Sequence, residues 1–98
     1  MPNRSYIRGS NFERSVIHQL ENIGWSAIRS AGSKKMFDVI AWNSDSLKFI
    51  QCKTTLKAPT IKMYLSDLRA ISDVSVPSNS SKELWVKYGR KTTRILVV

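Results

Sequence analysis

Histidine and cysteine are nearly missing from this sequence: each occurs once, as His18 and Cys52. A single cysteine excludes an internal disulfide, and no Cys/His spacing suggests a zinc site. One histidine removes every mechanism that needs a histidine pair or a histidine-based triad. No apolar run approaches the roughly 20 residues that span a bilayer. The opening "MPNRSYIRGS" has no apolar signal core, which points to the cytoplasm. No internal repeat, low-complexity tract or linker divides the 98 residues, so a single domain over 1–98 is expected. Acids are scarce as well: seven Asp/Glu stand against sixteen Lys/Arg, a formal charge of +9.

That imbalance calls for a polyanionic partner, with nucleic acid ahead of a membrane surface. The cations run from Arg4 to Arg94 without gathering in a tail, so a folded basic face is expected rather than a disordered arm. A hydrophobic fraction of 42% fits a packed chain. Its small size makes self-association a natural second source of buried surface.

In "GSNFERSVIHQLENIGW", Phe12, Val16, Ile17, Leu20 and Ile23 recur at helical spacing. Ser10 is expected as N-cap, with Glu13 closing a capping box and Gly24 ending the helix. His18 falls on the polar side with Arg14, Glu21 and Asn22. "WSAIRSA" then reads as a short strand, broken by the turn-prone "GSKK". "MFDVIAW" and "LKFIQCKT" read as two strands joined through "NSDS" in a hairpin. Pro59 suits a helix start, and Ile61, Tyr64, Leu65, Leu68 and Ile71 give a second amphipathic helix. "LWVKYG" and "RILVV" close the chain as a strand pair around "RKTT". The order α-β-β-β-α-β-β implies an α/β domain in which helices pack on one mixed sheet.

The hairpin carries the chemistry. Residues two apart on a strand share a face, so Gln51 goes with Lys53 while Cys52 points away with Ile50. Pairing through "NSDS" sets Asp38 across from Gln51. Asp38 would supply a hard anionic oxygen, the Ile50 carbonyl or Gln51 amide a neutral one, and Lys53 a positive charge. Metal-assisted phosphodiester hydrolysis needs that set, and Mg²⁺ takes few protein ligands. The plainer alternative is a cross-strand Asp38–Lys53 ion pair. Glu13 could be aimed at the same metal from its helix, although a place in the first turn would explain it as well. Arg29 and the turn with Gly32, Ser33, Lys34 and Lys35 could hold phosphates through side chains and backbone N–H groups.

Taken together, "RGSNFER…L…GW…IRSAGSKK…FDVIAW…FIQCKTT" resembles the archaeal-type Holliday junction resolvases, Hjc and Hje, of the PD-(D/E)xK nuclease superfamily. The strong motifs run from Arg8 to about Thr55, the tail fits more loosely, and 56–82 matches only as a helix and a loop. The resemblance implies a restriction-endonuclease-like fold with a five-stranded sheet, a basic homodimer, and Mg²⁺-dependent paired cutting of four-way DNA junctions, with Mn²⁺ expected to substitute. It carries Glu13, Asp38 and Gln51 onto the metal site and Lys53 onto the catalytic lysine. It carries Arg8, Arg14, Arg29, Ser33, Lys34 and Lys35 onto DNA binding and activity. No small-molecule cofactor or membrane is implied, and the compartment is the cytoplasm, the host's if a virus encodes the chain. The departure is Gln51, where the typical member has glutamate. Leu65, Leu68 and Trp85 are candidates for the dimer surface or for the core. Two rival readings are a branched-DNA-binding protein without catalysis and a superfamily nuclease acting on flaps or duplex ends. An RNA-binding module is disfavoured, since no stacking motif is visible.

Overall fold

The computed structural model describes residues 4–30 and 36–98, with side chains from Arg8 onward in the first stretch. Helix α1 spans Arg4–Asn22, followed by β1 (Ser26–Arg29), β2 (Val39–Trp42) and β3 (Leu47–Thr55). A 3₁₀ turn (Ile61–Tyr64) leads into α2 (Leu65–Ser72), and β4 (Ser80–Tyr88) and β5 (Thr92–Val97) complete the chain. The five strands lie in sequence order, antiparallel except for the parallel pair β3–β4. The α2 segment makes the crossover between those two, as a parallel pair requires.

Helix α1 begins earlier than its sequence cues suggest. Ser10 lies inside it and is not its N-cap, and Glu13 stands well past the first turn. "RSYIR" contains no breaker, so the helix continues upstream through Gly9, at a cost of about 1 kcal/mol relative to alanine there. The other end stops as expected. Gly24 takes φ +94°, its N–H donates to Glu21 O and Trp25 N–H donates to Leu20 O, the paired bonds of a Schellman turn.

Alternation along the strands divides the side chains into two cores. Phe12, Val16 and Leu20 of α1 pack on Val39, Ala41, Ile50 and Trp85. On the opposite face Tyr64 and Ile71 pack on Leu84 and Val86, with Phe37 and Leu68 beside them. Trp85 is therefore a core residue and not a dimer contact. Its indole N–H donates to Glu83 Oε1 at 2.9 Å. Neither helix covers a whole face. Ile28 and Trp42 stay exposed at the β1–β2 end, and Ile95 and Val97 on β5. Ile23, Ile61 and Leu65, counted above on apolar helix faces, are exposed too.

Candidate active site

The β2–β3 hairpin has the expected register. Val39 faces Ile50 and Trp42 faces Leu47, and Asn43 Oδ1 accepts from Asp45 N–H and Ser46 N–H to close the turn. One step beyond Val39, Asp38 leaves the ladder. Its N–H donates to Ile50 O at 2.8 Å, and its Oδ2 accepts from Cys52 N–H at 2.9 Å. A carboxylate is thus fixed by backbone alone at the mouth of the hairpin, beside Gln51. Burial raises the Asp38 pKa above the ordinary carboxylate value. The Cys52 N–H, Lys53 and Arg29 pull the other way without cancelling that effect.

Gln51 and Lys53 point to the α2 face. Gln51 Oε1 is buried without a hydrogen-bond partner among the described residues. An orphaned acceptor of this kind carries a desolvation cost of about 1–3 kcal/mol, which a cation or its water would relieve. Lys53 is not paired with Asp38. Its Nζ lies 3.8 Å from Asp67 Oδ1 in the first turn of α2, and the side chains are 40% and 28% exposed. Asp67 escaped the sequence reading because an acid at a helix start has an ordinary explanation. Its one signal was its isolation as the sole carboxylate in "KMYLSDLR".

Glu13 approaches from the α1 side. Arg29 Nε donates to Glu13 Oε1 at 3.0 Å, and both side chains are largely covered. Glu13 and Asp38 both act on the Cys52 thiol, whose pKa is pushed far up, first by burial and then by these two carboxylates. The cluster therefore straddles the sheet, with Glu13 and Arg29 on one face, Gln51, Lys53 and Asp67 on the other, and Asp38 between. Among the described residues no three His, Cys, Asp or Glu side chains converge as a metal cage. Asp38 and Gln51 nonetheless fit a hard cation that keeps most of its water, since one offers a carboxylate fixed by a backbone N–H and the other an amide oxygen without a partner among the described residues. Arg8 and Arg14 are exposed on α1, and His18 is a surface residue, 77% exposed. Ser33, Lys34 and Lys35 lie outside the described residues.

The fold is that of an α/β domain, a mixed five-stranded sheet flanked by helices. Within that class the chain belongs to the archaeal Holliday junction resolvase (Hjc) family, whose profile matches residues 4–98. It is 41% identical over 61 residues to the crossover junction endodeoxyribonuclease Hjc of Methanocaldococcus jannaschii. That match spans 62% of this chain and 43% of the relative's length. The structure also resembles that of Archaeoglobus fulgidus Hjc, a Holliday junction resolvase from an archaeal hyperthermophile. The TM-score is 0.63 at 22% identity, over 91% of this chain and 71% of the other, a likeness of fold.

Proposed function

We propose that this chain is a structure-selective DNA endonuclease that resolves four-way junctions by paired, symmetric phosphodiester hydrolysis. The observation that carries the reading is the backbone-held Asp38 beside Lys53 and the unpartnered Gln51 oxygen, in a chain of charge +9. Asp38 and Gln51 would hold the metal, Mg²⁺ or in its place Mn²⁺, and Glu13 would join them after releasing Arg29. When bound, the cation supplies charge against the phosphate and makes a water acidic enough to attack. Asp38 keeps its oxygen in place through Cys52 N–H. Lys53 presents its ammonium from the α2 face toward the charge that develops on the phosphate. Arg8, Arg14, Arg29, Ser33, Lys34 and Lys35 hold flanking backbone, positioning the junction without reading bases.

The active form is a homodimer working in the cytoplasm. A four-way junction is pseudo-symmetric and needs two opposed cuts, which two sites about one axis supply. Uncovered apolar side chains at either edge of the sheet, Ile28 and Trp42 at one and Ile95 and Val97 at the other, each give a second subunit surface to bury.

The test measures cleavage of a synthetic four-way junction against Mg²⁺ and Mn²⁺, with three-way, flap and linear duplexes beside it. Wild type should cut the junction in preference, and Gln51→Glu should reach half-maximal cutting at lower Mg²⁺. The second reading, a branched-DNA-binding protein without catalysis, is favoured specifically by the amide at position 51. It prevails if wild type binds the junction but cuts it with neither metal while Gln51→Glu cuts well.

A further inference from the structure

Beyond the site just described, the C-terminal ends of the only parallel strand pair in the described sheet frame a cavity of about 200 Å³. Arg8 of α1 closes one side, and Thr54 and Thr55 end β3. Lys87 stands on β4, with Gly89 and Arg90 in the turn that follows. Three cations and two hydroxyls line it with no carboxylate. Arg8, Lys87 and Arg90 enter no ion pair among the described residues. Thr54 faces Lys87 across the ladder, so a hydroxyl and an ammonium sit side by side. Gly89 takes φ +63°, a left-handed turn that delivers Arg90 to the rim. Open α/β sheets offer their crevices outside the carboxyl ends of strands.

We infer that this cavity is a phosphate subsite that holds one backbone phosphate of the DNA flanking the phosphate being cut. Lys53 immediately precedes Thr54 on β3. Alternation turns Lys53 to the α2 face and Thr54, with Lys87 opposite it, to the α1 face, so the pocket lies around the strand ends from the catalytic lysine. A DNA strand that passes from Lys53 around that end of the sheet meets the pocket with a phosphate beyond the one being cut. The subsite lies outside the metal site, and it rests on the DNA-nuclease reading.

The experiment uses the full chain and a fluorescent four-way junction in EDTA, titrated at salt concentrations from about 50 to 200 mM. Lys87→Gln/Arg90→Gln should bind several-fold more weakly, and the slope of log K against log salt should fall by about 0.9, the value for one lost phosphate. The exposed pair Lys62→Gln/Arg69→Gln removes equal charge elsewhere and should leave the slope near wild type. Melting curves check that each variant folds, and Arg90→Gln alone, at an exposed turn, carries the test if Lys87 does not tolerate change. In a second arm inorganic phosphate is titrated in. It should shift the amide resonances of Thr54, Thr55 and Gly89, and should compete with the junction in wild type but not in the pocket variant. Equal losses in the two double variants, or phosphate shifts confined to other residues, overturn the subsite. A wild type that takes no junction at any salt overturns the nuclease reading instead, and the phosphate shifts still decide the pocket.

Discussion

Lys53 meets its carboxylate on α2 and not across the hairpin, so the plainer alternative of an Asp38–Lys53 ion pair gives way to one with Asp67. With an amide at position 51, Asp67 also returns one negative charge to that face. Exposed pairs contribute only about 0–1 kcal/mol, so Asp67→Asn should barely move the melting temperature. It should still slow cleavage several-fold at unchanged junction affinity, and Asp67→Glu should restore the rate. Single-turnover cutting that matches wild type in the Asn variant would sink this role. Asp38 makes the opposite kind of statement. Its folded pKa lies above the ordinary value, chiefly through burial. The native state therefore holds its proton more tightly than the unfolded chain, and ionised Asp38 costs stability once the pH passes that folded value. Asp38→Asn should accordingly melt higher than wild type at neutral pH in EDTA, with the gap closing toward acid. A variant that melts lower at neutral pH would contradict it. Of these residues Asp38, Gln51 and Lys53 were legible in the sequence, because strand alternation and the hairpin turn fix their relative faces. Asp67 was not, because nothing local ties α2 to β3.

Among the elements, α1 shows which cues are decisive. Gly24 was readable as a stop because its positive φ is a backbone demand that few other residues meet. Gly24→Ala should cost about 1–2 kcal/mol, a strain of the backbone alone, since a Cβ there would meet nothing within 4 Å. Urea melts read that loss, and a neutral result would contradict the Schellman geometry. Ser10 failed as a cue because a capping box works only where the helix already ends, and the upstream residues keep the helix going. Glu13 thereby loses its place in the first turn, and its counterpart is Arg29 on β1. The β2–β3 register was legible since one slip would turn Val39 and Ala41 to the wrong face.

Across the whole molecule, the α1 core ends in a polar cluster. Glu83, 2% exposed, accepts from Lys48 Nζ at 2.7 Å, Ser81 Oγ at 2.6 Å and Trp85 Nε1 at 2.9 Å. Lys48 Nζ also lies 5.0 Å from the centre of the Trp25 ring. Burial alone would raise the Glu83 pKa, but these three donors outweigh it and hold the group below its ordinary value. The stabilisation is present above the unfolded pKa near 4.5 and is lost as pH falls through the lower folded value. Glu83→Gln should therefore cost about 2 kcal/mol or more at neutral pH, and its deficit should shrink in that acid window. A parallel offset at every pH would show that the charge is not what matters. Nothing in the sequence marked Glu83, because its three partners are gathered by the β3–β4 pairing and by the indole two residues on.

By itself the sequence determined the element order, the hairpin that presents Asp38 beside Gln51 and Lys53, the basic charge and the family resemblance. These follow from local periodicity, turn chemistry and composition, which act over a few residues or over the whole chain at once. Only the tertiary structure decided that Lys53 pairs with Asp67, that Glu13 is held by Arg29, that Trp85 is core, and that Arg8, Lys87 and Arg90 share one cavity. Each of those joins segments that only sheet order and helix packing bring together, and neither periodicity nor composition carries that information.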